Sequence, residues 1–198
     1  AARNAGKPFW AFSLAVTHDP YPIPTEAELR FQVFSILAYG ARTVQYFTYW
    51  TPKSTTWNFH EAPIDTLGNR TPTYDRVRKV NREIQSYADV FMNAKVVSVG
   101  HTGSPLPKGT KPFVPFAPFN TVTTGGKGAV VSRIENGGTT YLIVVNRDYQ
   151  NEMPLTVAFD KSAKIKRIGK NGGKLSIKAG AVSGSIPPGD MAVFRVGK

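Results

Sequence analysis

The chain has 198 residues, of which 41% are apolar and 12% aromatic, enough to bury a sizeable core in one or two domains. It contains no cysteine, which excludes disulfides and thiolate metal sites but leaves reducing and oxidising compartments equally open. The net charge of +12 is uneven, because residues 1–95 hold 11 Lys and Arg against 8 Asp and Glu, whereas residues 96–198 hold 14 against 5. The sequence has neither an apolar run of about 18 residues nor a signal-peptide pattern, so it predicts no membrane insertion.

The first predicted elements are a strand and a helix. The segment KPFWAFSLAV, Lys7–Val16, is almost continuously apolar, which is typical of a strand covered on both faces in a parallel sheet. Thr25 and Glu28 form a capping box, which predicts that a helix begins there. Its apolar residues lie on two stripes, so we expect this helix to be buried on more than one side, with Gly40 as its C-terminal cap.

A second strand and a second helix follow. TVQYFTYW, Thr43–Trp50, is rich in β-branched and aromatic residues and predicts a strand that ends on Trp50. The long segment from Thr51 to Arg70 is rich in Thr, Pro and Asn, and loops of that length are usually functional or disordered. Thr71 and Pro72 then suit the first turn of a helix with apolar spacing as far as Phe91. Its other face carries five charged residues and is expected in water: Arg76, Arg78, Lys79, Arg82 and Glu83.

The pattern changes near Lys95 to short β-branched runs separated by Gly, Asn and Pro. Eight strands are predicted: VVSVG, KPFVPF, GAVVSRI, TTYLIVVN, MPLTVAF, KIKRI, KLSIK and MAVFRV. The sequence IENGGTTY is typical of a hairpin turn between two of them. Strands at this spacing, with no helix between them, predict an antiparallel β-sandwich of roughly 100 residues.

Specific sequence segments in the first half resemble a known family. KPFWAFSLAV, PTEAELRFQVFSILAYGARTVQYFTYWTP and LGNRTPTYDRVRKVNREI are similar to the last two β/α units of a clan A-type (β/α)8-barrel glycoside hydrolase, β-galactosidase-like. GGTTYLIVVNRD and IPPGDMAVFRV resemble the small β-sandwich that follows the barrel in such enzymes. The resemblance implies an α/β plus all-β fold, with incomplete terminal barrel units in residues 1–94 and a sandwich in residues 95–198. It also implies an extracellular or periplasmic location.

Physical reasoning agrees that partners are needed for the two parallel strands. A two-stranded parallel sheet cannot cover both its faces and its edges, and about six more strands would close a barrel. One predicted partner is therefore the N-terminal barrel portion of the same protein. The alternatives are a separate chain that supplies the missing units, or a different packing of this half.

Catalytic residues cannot be assigned from the sequence. Retaining glycosidases need two carboxyl groups about 5 to 5.5 Å apart. The resemblance places the acid/base in a part of the barrel that the sequence lacks, and it places Ser13 where the nucleophilic glutamate is expected. Five other carboxylates lie in loops or at a helix start, but no spacing fixes a pair among them: Asp19, Glu26, Glu28, Glu61 and Asp65.

Sugar binding has more candidates than catalysis. The resemblance places Trp50 at the floor of a sugar-binding cleft, where its face would stack on a pyranose, and the alternative is that Trp50 only closes the core. Trp57 and Tyr21 lie in adjacent loops. His18 and Asp19 follow the first strand and are predicted to shape the same subsite. The predicted ligand is an oligo- or polysaccharide.

The sequence predicts no metal site and no cofactor. His18 and His60 fall in loops expected on one face, but THDP and FHEAP offer only scattered ligands without a third at a defined spacing. His101, in VGHTGSP, is predicted to be structural and to pack at the junction between the two parts of the chain.

The basic second half suggests a polyanion as a partner, either an acidic polysaccharide or nucleic acid. Seven cations cluster in one hairpin-like region: Lys161, Lys164, Lys166, Arg167, Lys170, Lys174 and Lys178. Alternation such as KIKRI is also what a sandwich strand with one wet face shows, and no nucleic-acid motif accompanies it, so nucleic acid is an unfavoured partner.

Three hypotheses therefore follow from the sequence. In the first, the chain is part of a β-galactosidase-like hydrolase and is an enzyme only if the missing barrel units are supplied. In the second, it belongs to a non-catalytic carbohydrate-binding or scaffolding protein whose hydrolase site has degenerated. The third and weaker hypothesis is a basic module that binds polyanions.

Overall fold

The computed structural model describes residue 2, residues 5–177 and residues 180–197. Lys178, one of the seven clustered cations, lies outside the described residues. The described residues contain three helices and eleven strands, and the strands form two antiparallel sheets and one small parallel sheet. Antiparallel sheets therefore make up most of the regular structure, and their arrangement fits a β-sandwich, whereas the parallel strands do not form a barrel.

The parallel sheet consists of β1 (Trp10–Leu14) and β2 (Thr43–Phe47), paired in register. One face packs against the helices, since Ser13 on β1 is fully buried and Tyr46 on β2 donates a hydrogen bond to Asn81 at 2.8 Å. The opposite face is open, and Trp10 and Phe12 on it are 64% and 67% exposed. Among the described strands, neither outer edge of this pair has a neighbour.

The first helix, α1 (Glu26–Ala38), begins where the capping box predicts. The Thr25 hydroxyl accepts a hydrogen bond from the Glu28 amide, and the Glu28 carboxylate accepts one from the Thr25 amide at 2.8 Å. After the helix, the amide of Gly40 donates to the carbonyl of Leu37 at 2.9 Å, with the positive φ of 91° that favours glycine at this position. Buried residues lie on both predicted stripes, which confirms burial on more than one side: Leu29, Val33, Phe34, Leu37 and Ala38.

The second predicted helix is two helices in the structure. α2 (Pro72–Ser86) starts with Thr71 as its cap and Pro72 in its first turn, as predicted, but it ends at Ser86 with Tyr87 as its C-cap, and α3 (Ala88–Phe91) follows. The prediction of a fully wet polar face was wrong for Glu83, which is buried. Its burial is possible because Arg30 of α1 donates two hydrogen bonds to the Glu83 carboxylate, at 2.6 and 2.8 Å.

The described part of the second half contains nine strands, whereas the sequence predicts eight. The six-stranded sheet has the order β3, β5, β6, β11, β8, β9, and the three-stranded sheet has the order β10, β7, β4. The strands are β3 (Lys95–His101), β4 (Phe119–Thr123), β5 (Ala129–Asn136), β6 (Thr139–Asn146), β7 (Met153–Phe159), β8 (Ile165–Ile168), β9 (Lys174–Ile177), β10 (Ala181–Ile186) and β11 (Met191–Val196). The predicted hairpin between β5 and β6 is confirmed, with Gly137 and Gly138 both at positive φ.

Two predictions about these strands were wrong. KPFVPF is a loop that makes only two isolated bridges, at Pro112 and Phe116, because its two prolines have no amide hydrogen for a ladder. β4 and β10 were missed because their sequences, FNTVT and AVSGSI, are short and mostly polar or small, without a clear apolar alternation.

Both faces of the six-stranded sheet are buried. One apolar cluster joins this sheet to the three-stranded sheet, with Phe119, Val157 and Phe194 among its buried members. A second cluster joins the opposite face to the helices and includes Phe34, Tyr87 and Ile143. The helices therefore pack directly on the large sheet, and their core continues across the predicted boundary between residues 94 and 95.

Candidate functional site

The candidate site lies at the carboxyl ends of β1 and β2, where parallel strands deliver their following loops to one edge. The loop after β1 and the long segment after β2 are joined by two backbone hydrogen bonds between Thr17 and His60, at 2.9 and 3.0 Å. The long segment is also fixed internally, since the buried Thr51 hydroxyl donates to the carbonyl of Ile64 at 3.0 Å. These bonds give the predicted loop a defined structure.

Five rings meet there and form what we call the aromatic cluster: His18, Tyr21, Phe47, Trp57 and Phe59. The ring centre of His18 lies 5.1 Å from Tyr21, 5.8 Å from Trp57 and 4.8 Å from Phe59. Tyr21 and Trp57 remain about half exposed, so each can offer ring surface to a ligand. The structure thus brings three of the sequence-predicted site residues together.

A cavity of about 440 Å³, here called the aromatic hollow, opens beside this cluster. Its lining combines residues of both strands, α1 and the loop after β1: Phe12, Leu14, His18, Tyr21, Gln32 and Phe47. Gln32 is held in place because its Oε1 accepts a hydrogen bond from the Leu14 amide at 2.7 Å. Within the described residues, Nδ1 of His18 is buried and has no hydrogen-bond partner. The hollow therefore has apolar walls and a few fixed polar groups, as ligand pockets usually do.

Asp19 lies next to the cluster and is fixed by Asn58. The Asp19 amide donates to Oδ1 of Asn58 at 2.8 Å, and Nδ2 of Asn58 donates to the Asp19 carboxylate at 2.9 Å. This reciprocal pair connects the loop after β1 to the segment that carries Trp57. Asp19 is exposed, and its two hydrogen bonds with Asn58 help to hold the two loops of the aromatic cluster together.

Trp50 does not end a strand, because β2 stops at Phe47, three residues earlier than predicted. The chain pairs again at Trp50, in a parallel bridge to Ile64, and the Trp50 ring lies beside Gly68. None of the ring contacts among the described residues connects Trp50 with the aromatic cluster. Trp50 is half exposed in the same loop system, but the structure does not join it to the other four predicted site residues.

No Asp or Glu is among the described residues that line the aromatic hollow. Ser13 lies on the helix-facing side of β1, fully buried, with its hydroxyl 3.4 Å from Oε1 of Gln32, so it does not face the cavity either. Glu28 caps α1, and Glu26 pairs with Arg30 and Lys79.

The remaining carboxylate with a described role is Asp65, which forms a turn. It accepts hydrogen bonds from the amides of Leu67 and Asn69, both at 2.8 Å. These bonds, led by the one from Asn69, lower the pKa of Asp65, so the group is an anion at neutral pH and a poor general acid. The described residues therefore present no acid/base pair at this site.

The described residues also contain no group of three or more His, Asp or Glu side chains placed to hold a metal ion. The two histidines make different contacts: the His18 ring packs against Phe59 in the aromatic cluster, whereas Nδ1 of His60 lies 2.6 Å from the carbonyl oxygen of Asn58. In the part of the chain that the structure describes, none of the helices has the length and apolar character needed to cross a membrane.

His101 lies at the junction of helix and sheet. It is buried at the end of β3, and its Nε2 lies 2.6 Å from the hydroxyl of Tyr39, the residue that follows α1. Burial, with a smaller contribution from the charge of Arg147, lowers the pKa of His101, so the imidazole is neutral at pH 7. The contact with Tyr39 agrees with the predicted packing at this junction.

The predicted basic cluster is divided by the fold. Lys166 and Arg167 lie on β8 and Lys174 on β9, whereas Lys170, in the turn between them, forms ion pairs with Glu83 of α2 and with Asp190. Lys170 thus connects the helices to the sandwich and is not part of a free cationic face.

Several residues of the aromatic hollow were missed by sequence reasoning. Phe12 and Leu14 alternate along β1 with the buried Ser13. Because neighbouring residues of a strand point to opposite faces of the sheet, the sequence could have predicted that both side chains lie on the face opposite Ser13. Phe59, which belongs to the aromatic cluster, was also missed, although it directly precedes His60 in a loop expected on the same face. Gln32 had a weak signal as the polar member of an otherwise apolar stretch of α1, FQVF.

Comparisons with known proteins give only distant structural likeness. No protein-family model matches the chain, and no curated protein matches it. One similar solved structure is a β-galactosidase from Bacillus circulans, with 24% identity over 46% of this chain and 10% of that chain, and a TM-score of 0.27. Another is α-galactosidase I from Mortierella vinacea, with 10% identity over 93% of this chain and 38% of that chain, and a TM-score of 0.46.

Both of these structures are glycosidases, and the chain spans 10% and 38% of their respective lengths. The likeness is therefore a weak and partial similarity of fold to glycoside hydrolases. It does not bear on the substrate or on the reaction.

Proposed function

We propose that this chain forms part of a carbohydrate-binding site in a glycoside hydrolase-related protein, β-galactosidase-like. The observation that supports this proposal is the aromatic cluster, whose partly exposed Tyr21 and Trp57 rings stand beside a hollow of about 440 Å³. An aromatic face can stack on the apolar C–H side of a pyranose, and the volume is of the size expected for a small-molecule pocket. His18, Asp19 and Gln32 supply polar atoms near those rings for sugar hydroxyls.

Hydrolysis by the chain alone is not part of the proposal. The aromatic hollow has no carboxylate among its described lining residues, and retaining or inverting hydrolysis needs two. If the protein is an enzyme, the missing barrel units must supply both groups. If no such units exist, the second hypothesis applies, and the chain is a non-catalytic carbohydrate-binding or scaffolding protein.

We also propose that further β/α units are the partner of β1 and β2. Support comes from the open sheet face that carries Trp10 and Phe12, and from the two unpaired outer edges among the described strands. Exposed apolar strands of this kind are usually paired or covered in native proteins. Comparing the intact mass of the natural gene product with 21.7 kDa, the mass of this chain, tests whether those units come from the same protein.

The binding proposal is tested by isothermal titration of the chain with neutral galactosides of one to three sugar units. The Trp57→Ala variant should bind about tenfold more weakly, because loss of one stacking ring removes on the order of 1.4 kcal/mol. Trp10→Ala is the matched control, since Trp10 is similarly exposed but, unlike Trp57, makes no ring contact with His18 of the aromatic cluster among the described residues. Equal affinities for wild type and Trp57→Ala, or absence of saturable binding, would contradict the proposal.

Trp50→Ala decides separately whether Trp50 belongs to the same subsite. If its ring contacts the bound sugar, this variant should lose affinity by a similar factor. An unchanged affinity would assign Trp50 to the packing of the loop beside Gly68 instead.

A further inference from the structure

A second cavity, here called the cationic hollow, lies on the sandwich between the β4–β5 turn and the β6–β7 loop. It has a volume of about 370 Å³. Its lining residues come from two short segments, 127–128 and 147–150, and include the side chains of Lys127, Arg147 and Tyr149. Neither segment contributes to the aromatic hollow, so this is a separate feature of the fold.

Arg147 is a cation that the described residues do not neutralise. Its Nη2 donates to the carbonyl of Thr102 at 3.2 Å, while its Nε is buried without a hydrogen-bond partner among the described residues. None of the ion pairs in the described part of the chain includes Arg147 or Lys127. Burial lowers the pKa of Arg147, which is the expected sign for a desolvated positive charge without a compensating anion.

Gly128 is needed for this placement of the guanidinium. A Cβ at position 128 would lie 2.2 Å from Nη2 of Arg147, closer than atoms can approach. The absence of a side chain at Gly128 thus leaves room for the guanidinium of Arg147, which forms no ion pair among the described residues. An unpaired guanidinium with free donors is the group best suited to bind a carboxylate or sulfate.

The carboxylates near this region are already engaged. Asp148, which lines the cationic hollow, accepts hydrogen bonds from the amides of Gln150 and Asn151, both at 2.9 Å. These bonds lower the pKa of Asp148 and fix it as the cap of its own turn. The charge of Lys127 lowers the pKa of Asp148 further, whereas Arg147 forms no ion pair among the described residues and remains available to an external anion.

A third cavity, also of about 370 Å³, connects the two hollows. It shares Leu14, Tyr21 and Gln32 with the aromatic hollow, and it shares Tyr149 with the cationic hollow. Tyr149 packs against Phe31 of α1, with ring centres 6.1 Å apart. The three cavities are thus neighbours that share lining residues, and we call them together the groove, with the aromatic cluster at one end and the two cations at the other.

Glu28 also lines this middle cavity, but its carboxylate is bound to the amide and hydroxyl of Thr25 at 2.8 and 2.9 Å. The groove is therefore largely apolar along its length and positive at its far end. A ligand that fits it has several sugar-sized units and a negative group at one end.

We propose that the cationic hollow is an anion-binding subsite for an acidic oligosaccharide, whose carboxylate or sulfate group contacts Arg147 and Lys127 while another sugar unit occupies the aromatic hollow. This inference rests on the proposed carbohydrate-binding function and adds the class of ligand. It makes the preferred ligand a charged oligosaccharide rather than a neutral galactoside.

The test is calorimetric titration of the chain with trigalacturonate and with its methyl ester, a neutral molecule of similar size. We expect the acid to bind at least tenfold more tightly, and Arg147→Gln and Lys127→Gln each to remove most of this preference. Lys108→Gln is the charge-matched control, since Lys108 is exposed and does not line any cavity of the groove. A sulfated galactotriose, titrated in the same way, tells whether carboxylate or sulfate is preferred.

Lys127→Gln keeps the test informative if Arg147→Gln does not fold, because the Lys127 side chain forms no ion pair among the described residues. Equal affinities for acid and ester, or a preference that survives both substitutions, would overturn the subsite. A preference that is lost in Arg147→Gln, together with affinities for acid and ester that Trp57→Ala leaves unchanged, would support the anion subsite and contradict the aromatic sugar site. If only the ester binds, and Trp57→Ala weakens that binding, the result would support the aromatic sugar site and contradict the anion subsite.

Discussion

Replacing Glu83 with Gln should cost the protein about 3 kcal/mol of unfolding free energy. Glu83 accepts two hydrogen bonds from Arg30, at 2.6 and 2.8 Å, and lies 3.3 Å from the ammonium group of Lys170. The side chains of Arg30 and Glu83 are only 14% and 11% exposed. Removing one partner of a buried ion pair usually costs about 3 to 5 kcal/mol, because the other charge stays buried and unpaired. We take the lower value since Gln can still accept one bond from Arg30, and since Arg30 keeps its ion pair with Glu26 at 3.2 Å.

The measurement is urea unfolding followed by far-UV circular dichroism, with linear extrapolation to zero denaturant. Glu135→Gln is the matched control, because Glu135 forms a single pair with Arg133 at 2.6 Å and both side chains are about one third exposed. Exposed pairs contribute about 0 to 1 kcal/mol. A loss below about 1 kcal/mol for Glu83→Gln, equal to that of the control, would refute the claim that the buried Arg30–Glu83 pair stabilises the packing of α1 against α2.

Three further predictions concern pH, backbone geometry and the position of Ser13. Burial raises the pKa of Glu83, but Arg30 and Lys170 lower it by more, so the overall shift is downward. The difference in unfolding free energy between wild type and Glu83→Gln should therefore be constant above about pH 5 and become smaller below about pH 4, as measured by urea unfolding. Gly189→Ala should lower the thermal midpoint markedly, since φ is +65° and the new Cβ would lie 2.0 Å from the Ala27 carbonyl oxygen. Ser13→Glu should destabilise the protein by several kcal/mol and not produce galactoside hydrolysis, because Ser13 is buried beneath α1; chromogenic hydrolysis by that variant would contradict its orientation.

The elements that local chemistry specifies were predictable from the sequence. The capping box at Thr25 and Glu28, the Thr71 cap and the glycine hairpin after β5 each depend on side-chain and backbone groups only a few residues apart. The strands that were not predicted depend on partners that are more distant in the sequence. β4 and β10 are held by pairing with β7 between them, and their own sequences carry little apolar alternation.

The site was predictable in its location but not in its composition. Two parallel strands place their following loops at one edge, which is why His18, Tyr21 and Trp57 could be expected near each other. The lining by Gln32 and Phe12 depends on which face of β1 packs against α1, and a slip of one residue would reverse it. The end of β2 at Phe47 rather than Trp50 likewise follows from where the long loop pairs back, at Ile64, which no local pattern showed.

The open sheet face and the aromatic hollow are coupled through shared residues. Phe12 lies on the exposed face of β1 and also lines the hollow, and Phe47 at the end of β2 does the same. Any β/α units that cover this face must therefore also complete the wall of the hollow. If such units exist, a ligand bound by the chain alone lacks the contacts of the wall that they would add, so its affinity should be higher when the units are present. Measured binding by this chain is in that case a lower limit for the complete protein.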